Sequence, residues 1–314
     1  MPRRHMGAEV MSEYLVGAVV VLFHPDFEQL RQLHDCLLSQ VDILWFVDNT
    51  PGSGADGFVP QPGQPEWKVR YRGLGENVGI AAAQNLGIGE AIAFGCDHVL
   101  LLDQDSLLPI DTVRKLLEAE QTLWDGKVKV AAVGPLFVDQ KTGLPGISHH
   151  HRWFRLHKRL VDPMAQVPEE TDWLIASGSL IRSCVFEQVG PMREELFIDA
   201  VDMEWGMRAR SLGYRSFIVP SAQISHSVGD SFFRLMGVSV ILHSGVRNYY
   251  ISRNWIYLLR VRSMGARWRS GALFHLAKFI LVHAWIARKR GTDALILGKG
   301  LLDGLLGTMG PYRP

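Results

Sequence analysis

Two aspartates one residue apart, Asp103 and Asp105, follow the apolar run Val99-Leu100-Leu101-Leu102. Such a run reads as a buried strand reaching a sheet edge. On an extended backbone alternate side chains share a direction, so Asp103 and Asp105 converge while Gln104 points elsewhere. Converging carboxylates repel each other and lose hydration. A hard cation, Mg²⁺ or Mn²⁺, removes both penalties and keeps coordination positions for phosphate oxygens. The competing reading is a solvated turn in which Asp105 or Ser106 caps a helix beginning near Pro109.

Other residues offer partners for that chemistry. Asp48 ends a second apolar run, Ile43 to Val47, and a carboxylate there can accept the ring N–H of a uracil or thymine. Its alternative is a turn aspartate before Pro51. Glu76-Asn77-Val78-Gly79 leads into an Ala-rich helix containing Asn85. Small residues let a ligand approach the backbone, and N–H groups at a helix start favour diphosphate. The alternative is tight helix–sheet packing with Asn77 as N-cap. Asp199, Asp202 and Glu204 form a second acidic cluster, from which one carboxylate can act as general base. Equally, Asp202 can cap a helix and Glu204 can pair with Arg208 four residues on. His226 follows a later strand; beside a divalent-metal site it is a third ligand, elsewhere a structural histidine.

The elements that must position these residues alternate. Leu15 to Phe23 is a strand, and Asp26 caps a helix through about Leu38. Strands follow at Ile43–Val47 and Trp67–Tyr71, with the Gly/Pro-rich stretch Gly52 to Pro65 as loop between them. A helix spans Gly79 to Phe94, the Asp-bearing strand is Val99 to Leu102, and a helix runs from about Pro109 to Leu123. This is an α/β order with a mostly parallel sheet covered on both faces and ligands at the carboxyl ends of its strands. Further on come a strand (Val128 to Val138), a basic aromatic loop (His149 to Lys158), a helix (Asp202 to Leu212) and a strand (Tyr214 to Val219). From Gly245 the pattern is helical throughout.

Taken in order, Phe23-His24-Pro25, Val47-Asp48-Asn49-Thr50, Asn77-Val78-Gly79 with Asn85-Leu86-Gly87, and Asp103-Gln104-Asp105-Ser106 resemble the family 2 glycosyltransferases of the GT-A fold. The Asp-Gln-Asp-Ser form resembles their bacterial rhamnosyltransferase branch. So do Leu196-Phe197-Ile198-Asp199, Val201-Asp202-Met203-Glu204-Trp205, His226-Ser227-Val228-Gly229-Asp230, and Arg247-Asn248-Tyr249-Tyr250 with Arg253-Asn254. The resemblance covers about residues 15–260. It implies a GT-A domain at 15–240, with a nucleotide-sugar half (15–125) and an acceptor half (126–240). A flexible start (1–14) and a C-terminal helical region (241–314) flank it. It also implies inverting transfer of L-rhamnose from dTDP-β-L-rhamnose, with a divalent metal, to a glycan or polyprenyl-diphosphate-linked saccharide. On matching positions, Asp48 reads the base and Asp103 lies near the ribose or diphosphate. His24, Asn77, Gly79, Asn85 and Gln104 fall on the donor side. Asp105 holds the metal with Asp103 and His226, and Asp202 is the base. Val201 replaces the acidic residue common before that aspartate, which leaves Asp199 and Glu204 as rival bases.

Composition narrows the partners. The 314 residues carry 33 Lys+Arg against 32 Asp+Glu, a net charge of +1, so no nucleic-acid footprint appears at this level. Cys36, Cys96 and Cys184 are scattered and odd in number, which argues against a disulfide framework and for a reducing, cytoplasmic setting. Gly271 to Ala287 is apolar, interrupted by His275, Lys278 and His283, and flanked by arginines. It suits a basic amphipathic helix on the inner leaflet of the cytoplasmic membrane, or a buried packing helix. Two other functions use the same residues: a haloacid-dehalogenase-type phosphatase built on Asp103 and Asp105, and an inactive glycan-binding scaffold.

Overall fold

The computed structural model describes residues 14–52, 68–139, 143–152, 155–226, 232–235, 238–241, 245–287 and 291–314. The expected flexible start, most of the Gly/Pro-rich loop and the motif residues Ser227, Val228, Gly229 and Asp230 lie outside the described residues.

Strand β1 (Val16–Leu22) is buried at every position, as its unbroken apolar run requires. It pairs in parallel with β2 (Ile43–Asp48) and β4 (His98–Asp103), and β2 pairs in parallel with β3 (Val69–Gly73). The crossovers are α1 (Phe27–Leu38), opened by Asp26, whose carboxylate accepts from the Glu28 and Gln29 amides, and α2 (Ile80–Phe94). The chain therefore runs outward from β1 to β3, then returns to place β4 on the other side of β1. That reversal opens a crevice beyond the carboxyl ends of β1 and β4, the usual ligand position in such sheets.

Side-chain alternation sorts the two faces. Ala18, Val20, Leu100 and Leu102 pack with α1 and α3 (Thr112–Asp125). Val19, Val21, Val99 and Leu101 pack with α2, α4 (Ser183–Val189) and α5 (Val201–Ser211). Gly87 on α2 permits this closeness: a Cβ there would lie 2.4 Å from Val19 Cγ1.

The second half mixes strand directions. β5 (Val130–Asp139) and β10 (Arg215–His226) are parallel, but the short β9 (Ser179–Arg182) runs antiparallel between β4 and β5. β8 (Glu169–Thr171) is an antiparallel edge on β10. The segment read as a basic loop is a hairpin, β6 (Ile147–Arg152) and β7 (Arg155–Leu160), with His150 opposite His157. Its order comes from backbone pairing and from a long helix, α7 (Gly265–Ala287), lying against it, neither of which gives a local apolar period. A second two-stranded hairpin comprises β11 (Phe232–Leu235) and β12 (Val238–Ile241). α6 (Gly245–Leu258) and α8 (Gly291–Leu306) complete the chain and pack together.

One buried ionic network holds β4 in register with its neighbours. Glu120 on α3 is 2% exposed and accepts from Arg182 Nε (2.6 Å) and Nη2 (2.8 Å). His98, at the start of β4, reaches the same carboxylate at 3.3 Å. Arg182→Ala leaves that buried carboxylate without its cation and should destabilise the protein by ~3–5 kcal/mol. Arg182→Lys should recover only part of the loss, because the fork geometry is gone. Urea unfolding followed by circular dichroism measures both; a loss under ~1 kcal/mol for the alanine variant contradicts this role.

Candidate active site

Three loops at the carboxyl edge interlock before any ligand is considered. Gln104 clasps the end of β1, its Oε1 accepting from Phe23 N at 2.7 Å and its Nε2 donating to Phe23 O at 3.1 Å. His24 follows at φ +46°, and its amide donates to Thr50 Oγ1 at 2.9 Å. Asp48 is 1% exposed; its carboxylate accepts from the Thr50 amide at 2.9 Å and the Tyr71 hydroxyl at 2.7 Å. Asp48 thus lies in the crevice floor, and half-buried Gln104 is committed to the end of β1.

The start of α2 differs from the diphosphate cradle that its sequence suggests. Asn49 Oδ1 accepts from Val78 N (2.8 Å), and Asn77 Oδ1 accepts from Gly79 N (3.0 Å) and from Asn49 Nδ2 (2.9 Å). Ile80 N donates to Phe197 O at 2.8 Å. These amides already have protein acceptors, so the α2 start joins the two halves of the molecule. Gly79 rather than Asn77 is the N-cap, at φ +88°. A Cβ there would lie 2.7 Å from the Phe197 carbonyl oxygen, so only glycine fits. Asn85 is committed in the same way: it donates to Met192 O (2.9 Å) and Glu194 Oε1 (2.8 Å) and accepts from Met192 N (2.8 Å).

The Asp103-Gln104-Asp105 step leaves the extended backbone earlier than alternation requires. β4 ends at Asp103, and Ser106 N donates back to Asp103 O at 3.2 Å, closing a turn. Both aspartates are exposed in the crevice, and Asp105 makes no hydrogen bond or ion pair with the described residues. Neither Asp105 nor Ser106 caps a helix: α3 begins at Thr112, and the Ser106 hydroxyl pairs with Ser177 Oγ at 2.5 Å. Two exposed carboxylates are the donor set by which a hard cation is held when water and substrate phosphates supply the remaining ligands. Among the described residues no group of three acidic, His or Cys side chains could hold an ion. His226 ends β10 opposite Asp139; its side chain lies outside the described part.

A short relay connects this acidic pair to the second. Ser177 Oγ lies 3.4 Å from the Asp103 amide, and the neighbouring Ala176 amide donates to the Asp202 carboxylate. Asp202 sits in the first turn of α5 and also accepts from Met203 N at 2.8 Å. It borders a small cavity of about 20 Å³ walled by Leu101, Ala132 and Trp205. Burial is the main cause that pushes its carboxyl up to about 6, the Asp199 charge adds to the rise, and the backbone hydrogen bonds from Met203, Ala176 and its own amide oppose it. A helix start alone would move the group the other way; here desolvation outweighs it.

The rival acids are placed differently. Glu204 is fully buried, with Arg208 Nη2 at 3.0 Å and Arg193 Nε at 3.4 Å. Arg208 also donates to Val189 O at 2.6 Å, so Glu204 anchors the α4–α5 junction and is closed to an acceptor. Asp199 stands in the loop before α5 and meets Arg247 at 3.3 Å.

That loop carries three non-glycine residues at positive φ: Phe197 (+67°), Asp199 (+63°) and Ala200 (+63°). Each costs ~1–3 kcal/mol unless its surroundings hold it. α6 holds it. Asn254 Nδ2 donates to the carbonyls of Leu196 (3.0 Å), Ile198 (2.7 Å) and Asp199 (2.9 Å). Arg253, fully buried, donates to Leu196 O at 2.8 Å and to Gly310 O, with its guanidinium 4.9 Å from the Tyr250 ring centre. Tyr250 in turn stacks on Phe197 at 5.2 Å. The sequence shows Arg253-Asn254 only as part of a resemblance, with no role assigned. The available signal was its placement: Arg247, Tyr250, Asn254 and Tyr257 recur on one helix face.

No family model matches the chain. A curated protein of Shigella flexneri, the dTDP-rhamnosyl transferase RfbF, is 32% identical over 250 residues, 78% of this chain and 80% of that protein. Among solved structures, S. aureus TarS 1–349 in complex with UDP-GlcNAc superposes with a TM-score of 0.55 at 13% identity, over 92% of this chain and 80% of that one. GalNAc-T7 with UDP, GalNAc and Mn²⁺ gives 0.53 at 13% identity, over 89% of this chain; the chain spans 57% of that neighbour's length. These structural neighbours share the GT-A arrangement of a mostly parallel sheet flanked by helices. With the RfbF relationship extending over four fifths of both proteins, the chain belongs to the dTDP-rhamnosyl transferase family of GT-A glycosyltransferases.

Proposed function

We propose that the chain is an inverting rhamnosyltransferase, moving L-rhamnose from dTDP-β-L-rhamnose to a hydroxyl of a lipid-linked glycan in cell-surface polysaccharide synthesis. The observation that carries this reading is Asp202, partly exposed at the start of α5 and linked through Ala176 and Ser177 to the Asp103 amide. Asp202 takes the acceptor hydroxyl proton as the acceptor oxygen attacks the anomeric carbon. The bond from that carbon to the diphosphate breaks on the opposite face, and dTDP leaves with the electron pair. Asp105 and Asp103 would hold a divalent metal, Mg²⁺ or Mn²⁺, which when bound would supply positive charge to the diphosphate leaving group. Asp48 fixes the Tyr71 hydroxyl beside the crevice, which supports a base pocket for the thymine at this edge.

The phosphatase reading needs the Asp-x-Asp strand near the start of the chain; here it is the fourth strand, and the family relationship points to sugar transfer. Membrane attachment draws support from α7 and α8. α7 turns Trp268, Ala272 and Leu276 inward and leaves Leu273, Phe274 and Leu281 exposed, with Arg267 exposed near its start. Among the described residues no helix is long and apolar enough to cross a membrane. A surface-lying helix pair at an anionic leaflet uses this apolar face directly.

Removing the metal-side charge should be severe. Asp105→Ala should lower donor turnover by ~10²–10³-fold, the usual effect of deleting a charge-stabilising group. EDTA should do the same to the native protein. Full turnover in either case contradicts the assignment.

For the base, the sign follows from the raised carboxyl. Asp202 works only when ionised, so kcat/KM should rise as pH increases through about 6 and level off above it. Asp202→Asn should cost ~10²-fold or more in kcat with dTDP affinity retained. If Asp199→Asn abolishes transfer and Asp202→Asn does not, the base is misassigned.

A further inference from the structure

A cavity of about 200 Å³ opens beside the site, and its wall residue Ser177 also meets Ser106 and the Asp103 amide. Its walls include Phe137, His149, Trp173, Leu174, Ile175 and Ser177. A single water needs ~10–15 Å³ by the same measure, so this is space for an organic group and not for one ordered water.

Its position relative to the base is set by one five-residue segment, residues 173–177. Trp173 and Ser177 line the cavity, and Ala176 between them donates its amide to Asp202. Leu174 lines both this cavity and the small one under Asp202. On α5, Gly206 stands one turn after Asp202, and a Cβ there would lie 2.6 Å from Trp173 Cβ. The helix that carries the base therefore packs directly on the segment that forms the cavity wall.

The aromatic wall is built to stay in place. Trp173 packs against two imidazoles that leave the same face of β6, with ring centres 4.3 Å from His149 and 5.3 Å from His151. His151 is pinned by Asp172 Oδ2 at 2.9 Å from its Nδ1. His149 is different: its backbone is anchored to Thr171 Oγ1 at 3.0 Å, but no described group hydrogen-bonds its ring. Burial above all, and then the Lys158 charge, push it down to about 4, so it is neutral at physiological pH. A neutral imidazole offers one donor and one acceptor, matching a sugar hydroxyl that is also both. A fixed aromatic plane with few convergent polar groups is the usual make-up of a small-molecule site.

We propose that this cavity is the acceptor subsite, receiving the sugar ring that is to be glycosylated, with Trp173 as its platform and His149 as the group that orients its hydroxyls. The proposal rests on the rhamnosyltransferase reading with Asp202 as base, and its test separates the two.

The probes are methyl α-L-rhamnoside, methyl β-D-glucoside, methyl β-D-galactoside and methyl N-acetyl-β-D-glucosaminide, with octanol as an apolar control. At least one glycoside should quench tryptophan fluorescence saturably in the full-length protein, and Trp173→Phe should abolish that quench. His149→Ala should raise the KM for that glycoside about tenfold, the order expected for one lost hydrogen bond, and His149→Gln, whose amide keeps a donor and an acceptor, should recover part of it. Release of dTDP from dTDP-β-L-rhamnose without acceptor should stay within twofold, which a misfolded variant would not show. Asp202→Asn should lose transfer yet keep the quench; if it keeps transfer, the base reading fails and the subsite stands on the quench alone. The subsite is overturned if no glycoside quenches, if the quench survives in Trp173→Phe, or if neither His149 variant changes the acceptor KM. Quenching by octanol alone overturns it too, assigning the cavity to an alkyl chain. A donor hydrolysis rate that falls in step with transfer in both His149 variants likewise overturns it, giving His149 a structural role.

Discussion

The side-chain amide of Asn254 faces three carbonyls, those of Leu196, Ile198 and Asp199, and the conformation of the loop carrying the second acidic cluster depends on it. Two amide protons shared among three acceptors tie down a stretch that three left-handed non-glycine residues would otherwise disfavour. Arg253 reinforces the hold on Leu196 and carries it to the far C-terminus through Gly310. The same loop reaches the donor side, because Phe197 accepts from the first amide of α2 and fills the space that Gly79 leaves empty. The helical C-terminal region is therefore structurally part of the site.

Holding the loop there has an electrostatic consequence. α5 starts where the loop releases it, and its first turn carries Asp202 to the rim of an apolar cavity beneath the sheet. A helix start contributes ~0.3–1 kcal/mol toward an ionised carboxylate, less than the ~1.4 kcal/mol that one pKa unit represents. Desolvation is larger and of opposite sign, which leaves the carboxyl near 6. A carboxylate poised close to the working pH accepts a proton more effectively than an ordinary aspartate. Glu204, two positions on, is ionic too, but its two arginines make it a brace for the α4–α5 junction.

Much of the first half of the chain was legible because its signals are local. The uninterrupted apolar runs of β1, β2 and β4, the Asp26 cap and the Ala-rich α2 each follow from residues within one element. The acidic residues could be located to strand ends and a helix start for the same reason. What could not be read is what depends on long-range partners. The β6–β7 hairpin lacks an apolar period, and β9 is four residues long, so neither announces itself. The engagement of the α2 start needs Asn49, 29 positions from Val78, and Phe197, more than a hundred positions from Ile80. Arg253 and Asn254 read as polar helix residues, yet both are fully buried because their partners arrive from residues 195–199.

Hydrogen–deuterium exchange, comparing the native protein with Asn254→Ala, tests most directly whether α6 holds the loop that sets Asp202. Exchange should accelerate in peptides covering Leu196 to Met203 while those from β1 and β4 stay unchanged. Equal protection of that loop in both proteins, or an acceleration spread evenly over the whole sheet, would contradict it.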